Sequence, residues 1–353
     1  MSSFPVHRIA VLPGDGIGTE VIPAGQRVLD AAAQRHEFSL TWQEHSWGSA
    51  HYRRYGRMMP TDALDTLRDS DAIYLGAVGS PDIDDVQTLW GMLIPIRREF
   101  DQYVNLRPIR SLPGVEAPLR RSEGIDVVVV RENTEGEYSD VGGRSYRGTE
   151  HEAAYQQAVF TRRGVRRVAQ YAADLAVRRA GRLVSATKSN GIIHTMPFWD
   201  EVVRETVAQT PGLALESVLI DALAARLVMR PQSLDVVVAS NLFGDILSDL
   251  AAATVGSIGI APSANLNPEH RFPSLFEPVH GSAPDIAGTG LANPVGAIWA
   301  GAMMLDHLGH AAAADTVINA FTAVLGTGMA TPDLGGNCST TQFADAVIAE
   351  ISR

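Results

Sequence analysis

Short runs of apolar, β-branched residues alternate with longer stretches of helical periodicity along the whole chain. Strands are predicted over Arg8–Leu12, Ala72–Leu75, Ile125–Val130, Arg182–Thr187, Ser217–Ile220 and Asp235–Ala239. Helices are predicted over Glu20–Ala33, Arg162–Arg178, Phe198–Ala208 and Phe243–Ala253. Unbroken apolar runs such as VVVV at 127–130 suit strands covered on both faces, because a strand with one wet face would alternate. Strands and helices in alternation predict an α/β fold with a largely parallel sheet. One stretch departs from the pattern: Gly136–Glu150 is rich in Gly, Ser and Tyr and has no helical period. It reads as an irregular hairpin or projecting arm, or as an ordinary surface loop. No internal repeat or low-complexity linker marks a domain boundary.

Composition narrows the classes. The chain has 353 residues, 45% of them hydrophobic, enough for two domains or one large α/β unit. Its 40 acidic residues outweigh 29 basic ones, for a formal net charge of −11, which argues against a nucleic-acid or anionic-membrane surface. Arginines gather at Arg162, Arg163, Arg166, Arg167, Arg178 and Arg179, where a solvated helix face is expected. A single cysteine, Cys338, excludes an internal disulfide framework and suits a reducing compartment. No apolar run reaches the ~20 residues that span a bilayer, and the first residues lack the pattern of a secretory signal. The expectation is a cytoplasmic enzyme.

Candidate chemistry lies at predicted strand ends. Gly14-Asp15-Gly16-Ile17-Gly18 follows a strand and precedes a helix, as a dinucleotide-binding turn does, but Thr19 stands where the third glycine belongs. Asp15 would also set a carboxylate against a pyrophosphate. A standard Rossmann site is therefore not expected there. Asp245 and Asp249, in NLFGDILSD, are one helical turn apart and share a face. Two carboxylates supply hard oxygen ligands suited to Mg²⁺ or Mn²⁺; an acidic pair complementing a helix dipole is the alternative. Asp221 follows another strand, where it reads as a third carboxylate of a site or as a helix N-cap. Lys188, in TKSN, also ends a strand, and partial desolvation would make it a usable proton acceptor. Tyr138, in GEYS, could be a matching proton donor if a cation lowers its pKa, and on its own either residue would usually be structural. Arg107 and Arg131 are flanked by Pro108 and Asn133, which suggests fixed loops and a two-pronged grip on an anionic ligand; Arg98 reads as a surface ion pair. The glycine-punctuated loop from His280 through Asp285 to Asn293 has the character of a functional loop, and Asp285 could accept from ribose hydroxyls and repel a 2′-phosphate, favouring NAD over NADP.

Taken in order, LPGDGIG, NLRP, VRENTEGEYS, TKSN, SNLFGDILSDL, HGSAPDI and ANP resemble the β-decarboxylating dehydrogenase family, which comprises 3-isopropylmalate, isocitrate, homoisocitrate and tartrate/D-malate dehydrogenases. Each motif alone is weak, and their joint occurrence over nearly the whole chain is specific. WGSAHYRRYGRMMP, TLWG, GIAPSANLNPE and RFPSLFEPVHGSAPDI are most similar to the branch acting on D-malate and tartrate. The resemblance implies an isopropylmalate dehydrogenase-like fold, not a Rossmann fold, with two domains sharing a large, mostly parallel sheet. Residues 1–102 and 257–353 would form the cofactor-side domain. Residues 103–256 would form the substrate, metal and dimerisation domain, with an arm at about 136–152. It implies a homodimer with shared active sites, NAD and Mn²⁺ or Mg²⁺ as cofactors, and K⁺ as a further candidate. By the same resemblance, Arg97, Arg107 and Arg131 bind substrate carboxylates, Tyr138 protonates the enolate carbon, and Lys188 assists loss of the hydroxyl proton. Asp221, Asp245 and Asp249 hold the metal, with Lys188 and Asp221 coming from the partner subunit. His280, Gly281, Ser282, Ala283, Pro284, Asp285, Ile286 and Asn293 bind the NAD adenosine.

The informative departure is Trp90. Isopropylmalate enzymes carry a glutamate seven residues before the arginine matching Arg97, and this chain has a tryptophan there. Its bulk would fill the volume that a C3 substituent needs, or it packs against a neighbouring element. The expected reaction is NAD-dependent oxidative decarboxylation of D-malate to pyruvate and CO₂, with tartrate as a further substrate. The alternatives are a 3-isopropylmalate dehydrogenase and a catalytically silent regulatory subunit.

Overall fold

The computed structural model describes residues 4–353. The chain divides into two compact units. The first runs to Gln102 and adds Arg110–Glu123 and Ala252–Arg353; the second comprises Tyr103–Ile109 and Gly124–Ala251. Residues 110–123 and 252–256 thus group with the first unit rather than with the middle of the chain.

With strands numbered along the chain, the first unit holds β1 (Val6–Gly14), β2 (Ser39–Glu44), β3 (Ala72–Ala77), β11 (Pro262–Leu266) and β12 (Ser274–Pro278). Their order is β2-β1-β3-β12-β11, parallel except for the β11–β12 pair. Every residue of β3 is buried, as its unbroken apolar run requires. Ala10, Leu12, Ile73, Leu75 and Leu275 pack with Met58, Leu67, Met92, Ile96 and Phe100 into one core. The helix Val295–His307 is buried on nearly all sides, consistent with a sequence that is apolar all round. Its Ala297 carbonyl accepts a 2.7 Å hydrogen bond from the buried Tyr74 hydroxyl.

The second unit holds β4 (Val104–Arg110), β5 (Asp126–Glu132), β8 (Arg182–Thr187), β9 (Ala214–Leu219) and β10 (Val236–Ala239) in the order β4-β5-β10-β8-β9. β5, β10, β8 and β9 are mutually parallel. β6 (Gly142–Ser145) and β7 (Ala153–Gln156) pair antiparallel as a separate hairpin, so the Gly- and Tyr-rich segment forms an arm of regular strands. The helix Arg162–Arg178 occupies its predicted span, and Thr161 caps it by accepting from the Gly164 amide at 2.9 Å. The strand expected over Ser217–Ile220 starts three residues earlier and ends at Leu219, because Ile220 already begins the helix Ile220–Met229.

Candidate active site

Parallel register builds the site of the second unit. Arg131, near the end of β5, sits beside Ala239 at the end of β10, just before the helix Asn241–Thr254 begins. Arg131 therefore meets the first turns of that helix. Its Nε and Nη2 donate to Asn241 Oδ1 at 3.1 and 2.7 Å, and its Nη1 pairs with Asp245. The approach is close enough to require a glycine: a Cβ on Gly244 would stand 2.6 Å from Arg131 Cβ. Arg107, from β4, donates from Nη1 to Ser248 Oγ at 2.8 Å and pairs with Asp249 at 3.0 Å and Asp245 at 3.3 Å. Its Nε is fixed by Asn105 Oδ1 at 2.8 Å. Both arginines are buried and both stand on strands, so the fixed loops expected around them are absent. β-Strand backbone holds the guanidinium groups more firmly than a loop would.

Tyr138 completes this cluster. Its hydroxyl donates to Asp245 Oδ2 at 3.0 Å, and the Arg131 guanidinium lies 5.6 Å from its ring centroid. Asp245 and Asp249 project from successive turns of one helix, and two arginines offset their charge. Burial raises the Asp249 carboxyl above its ordinary range; the Asp245 charge adds to this, and Arg107 opposes it. Two adjacent carboxylates with half-open side chains fit a hard divalent cation in donor chemistry.

Register also joins the other predicted pair. Thr187 aligns with Leu219 across β8 and β9, so Lys188 and Asp221 leave the same strand ends and form a 2.7 Å ion pair. Asp221 is not an N-cap; it stands in the first turn of its helix. The Lys188 hydrogen bond holds its carboxyl below the usual carboxylate range. Among the described residues of one chain, no three His, Cys, Asp or Glu side chains are grouped to hold one metal ion, so Asp221 does not join Asp245 and Asp249 within a single chain.

Other acids brace this unit, and sequence reasoning did not single them out. Glu132, at the end of β5, is fully buried and accepts from the Thr134 amide and hydroxyl and the Glu135 amide, each at 2.9 Å. Burial pushes its carboxyl up to about 7 against those hydrogen bonds. Glu135 accepts from the Thr161 amide and hydroxyl, and Glu137 from Ser240 Oγ and the Leu242 amide. The arginine cluster is not only a solvated face. Arg167 lies 4.0 Å from the Tyr103 ring centroid and donates to Thr134, while Arg179 pairs with Asp126 and Asp235.

The remaining predicted residues belong to the first unit. Arg97 is buried and pairs with Glu277 at 3.1 Å, and Asn265 also donates to that carboxylate at 2.7 Å. Trp90 stands in a π-helical turn, Leu89–Leu93, with the Arg98 guanidinium 5.0 Å from its ring, so Arg98 has an aromatic partner rather than only a surface charge. The Gly14–Gly18 turn packs on the 280–286 loop. Ile17 N–H donates to the Ser282 carbonyl at 2.9 Å, and a Cβ on Gly16, whose φ is +54°, would stand 2.0 Å from that oxygen. Asp15 accepts from Ser49 N, Ser49 Oγ and Gly79 N, which accounts for a carboxylate in this turn. Glu20 accepts from the amides of Gly288 and Gly290, tying the first helix to the same loop. Within the loop Ala283 has a φ of +40°, Ile286 N–H donates to the Ala283 carbonyl at 3.1 Å, and Asp285 is exposed. His280 is pushed below its ordinary range by burial, and its Nδ1 lies 3.0 Å from the Gly281 carbonyl. Asn293 donates to Asp333 at 3.0 Å. Gly281, Ser282 and Pro284 line an open cleft of about 610 Å³ with Gly79, Ser80 and Asp84.

These motifs carry a family assignment. The isocitrate/isopropylmalate dehydrogenase family profile matches residues 8–347. The chain belongs to this family. It is 56% identical to the D-malate dehydrogenase [decarboxylating] of Escherichia coli (strain K12), over 98% of this chain and 99% of that protein. It is 52% identical to the tartrate dehydrogenase/decarboxylase of Pseudomonas putida, over 99% of this chain and all of that one. Among solved structures, isocitrate dehydrogenase from Methylococcus capsulatus superposes with a TM-score of 0.90 at 35% identity, covering 98% of this chain and 100% of the other. The isopropylmalate dehydrogenase-like α/β fold is thereby established, as is membership among dehydrogenases that use NAD(P) and a divalent metal. No helix among the described residues is long and apolar enough to cross a membrane.

Proposed function

We propose that this chain is an NAD-dependent, divalent-metal-dependent dehydrogenase that oxidatively decarboxylates D-malate to pyruvate and CO₂ and also acts on tartrate. The observation that carries this reading is the Arg107–Arg131–Tyr138–Asp245–Asp249 cluster, in a chain 56% identical to a decarboxylating D-malate dehydrogenase. Asp245 and Asp249, with Asp221, would hold Mn²⁺ or Mg²⁺, which supplies Lewis acidity at the substrate's C2 oxygen. NAD, bound by the loop from His280 to Asn293, would accept the C2 hydride. Exposed Asp285 favours it over NADP, since a carboxylate repels a 2′-phosphate.

The chain's own side chains do the rest. Arg107 and Arg131, fixed on their strands, orient the substrate carboxylates, and Arg97 is assigned the same role. Lys188 receives the hydroxyl proton, directly or by relay. Loss of CO₂ leaves an enolate, and the Tyr138 hydroxyl, held at Asp245, delivers a proton to its carbon. One proton is taken and one returned, so the net products are pyruvate, CO₂ and NADH.

The reading includes a homodimer with shared sites, in which Lys188 and Asp221 serve the partner's Asp245–Asp249 pair. Their separation within one chain supports it. So do the exposed apolar side chains Ile193, in the turn after Lys188, Met229, at the end of the helix that carries Asp221, and Tyr146 and Tyr155 on the arm, which a partner would cover. The deciding assay measures metal-dependent NADH formation and CO₂ release with D-malate, L-tartrate, meso-tartrate and 3-isopropylmalate. The highest kcat/KM is expected with D-malate. A higher value with 3-isopropylmalate overturns the substrate assignment, and no NADH from a folded, metal-loaded enzyme favours a silent regulatory subunit.

A further inference from the structure

We infer that Glu137 is a positioning residue for Tyr138, clamping the loop that carries the tyrosine to the start of the helix that carries Asp245. The inference rests on the reading of Tyr138 as the proton donor. Glu137 uses both carboxylate oxygens at the start of that helix: Oε1 accepts from the Oγ of Ser240, the residue just before it, at 2.7 Å, and Oε2 accepts from the Leu242 backbone amide at 3.1 Å. The Leu242 amide belongs to the first turn, where N–H groups lack intrahelical partners and a negative charge is favoured. Asp245 follows one turn later on the same helix. The adjacent residue in the loop, Tyr138, reaches Asp245 Oδ2 at 3.0 Å.

Two neighbouring residues thus grip one helix at two levels, and the Glu137 contact sets where the Tyr138 ring enters. Two backbone carbonyls of the loop are held as well. Asn241 Nδ2 donates to the Glu135 carbonyl at 3.1 Å, and Gln156 Nε2 donates to the Glu137 carbonyl at 2.9 Å. Removing the Glu137 carboxylate therefore leaves the loop attached through these carbonyls while deleting two of its ties to the start of the helix that carries Asp245. Proton transfer is steeply sensitive to such displacement, and a 1 Å misplacement can cost ~10²-fold in rate.

The test uses the full-length enzyme with saturating NAD and Mn²⁺ and D-malate as substrate. It compares Glu137→Leu, Glu137→Gln, Tyr138→Phe and the Glu137→Leu/Tyr138→Phe double variant. Glu137→Leu is expected to lower kcat by roughly 10–100-fold while KM changes less than about threefold. Glu137→Gln keeps one acceptor and gains a donor that the Ser240 hydroxyl can accept, so it should retain most of kcat. In the Tyr138→Phe background, Glu137→Leu should change kcat by less than about twofold, because the group it positions is gone. Additive effects, or a wild-type kcat in Glu137→Leu, overturn the inference. A wild-type kcat in Tyr138→Phe instead sinks the proton-donor reading itself, so the two failures are distinct. If Glu137→Leu does not fold, Ser240→Ala, which removes one of the two donors, takes its place in the cycle with a smaller drop in the same direction expected. Additivity with Tyr138→Phe counts against the inference there too.

Discussion

Asp245 is addressed by Arg131, Arg107 and Tyr138 at once, whereas Asp249 has Arg107. The two carboxylates should therefore fail differently. Asp245→Asn removes a carboxylate that pairs with the buried guanidinium of Arg131 and is expected to cost about 1–3 kcal/mol of stability as well as metal binding. Asp249→Asn, on a half-exposed side chain, should cost less than about 1 kcal/mol. Both should weaken Mn²⁺ binding by more than the roughly 10–100-fold that loss of an outer-shell partner costs. Calorimetric Mn²⁺ titration and thermal melting check this, and equal melting of the two variants would contradict it. Trp90 makes a second residue-scale case. Trp90→Leu opens volume in the π-helical turn and should raise kcat/KM for 3-isopropylmalate relative to D-malate by roughly 10–200-fold, the range that pocket-filling methylenes command. An unchanged ratio would mean that Trp90 only packs against Arg98. The acids and bases at strand ends were legible because type and spacing mark them. Glu137 and Glu277 were not, since an isolated glutamate reads as solvated surface and their partners, Ser240 and Arg97, lie 103 and 180 residues away.

At the scale of elements, the β5 end and the turn after it are built around the buried carboxyl of Glu132. Its carboxyl lies at about 7 rather than near 4.5, because burial disfavours the charged form. The native state thus binds the proton more tightly than the unfolded chain does. The contribution of Glu132 to stability is full below pH about 4.5 and lost as pH rises toward 7, on the order of 3 kcal/mol in all. Glu132→Gln removes the titration, so the stability of wild type relative to this variant should fall across that window. Denaturant unfolding at several pH values measures it, and a constant difference would refute the assignment. A second element-scale test is the contact between the Asn241–Thr254 helix and β5. Gly244→Ala sets a methyl against the Arg131 stem, and a buried strand side chain cannot retreat. The expected cost is about 1–3 kcal/mol with a raised KM; a variant that melts like wild type would show that the helix shifts freely. Strands covered on both faces announced themselves by apolar runs. β4 and β11 did not, because Pro108 interrupts VNLRPIR and Pro262 opens PSANL, and proline weighs against a strand in a linear reading.

For the whole molecule, composition hid the division into units because the chain leaves the first unit at 102/103 and 123/124 and re-enters it at 109/110 and 251/252. A linear scan looks for one boundary with a change of composition, and nothing of that kind exists here. A two-copy assembly was an expectation of the family resemblance alone, since spacing along one chain says nothing about which copy supplies a residue. The two charge sets make the question testable. Asp245 and Asp249 are engaged by Arg107 and Arg131, while Lys188 and Asp221 are engaged by each other. Lys188→Ala and Asp245→Asn should each be inactive as homodimers. Co-expressed in equal amounts, half of the dimers are hybrids, and each hybrid rebuilds one site of two from an intact Asp245 of one chain and an intact Lys188 of the other. About a quarter of wild-type activity should then return, as closed two-fold assembly with shared sites requires. If Lys188 instead serves the Asp245 of its own chain, every site in every hybrid keeps one defect, and activity stays at the level of the single variants.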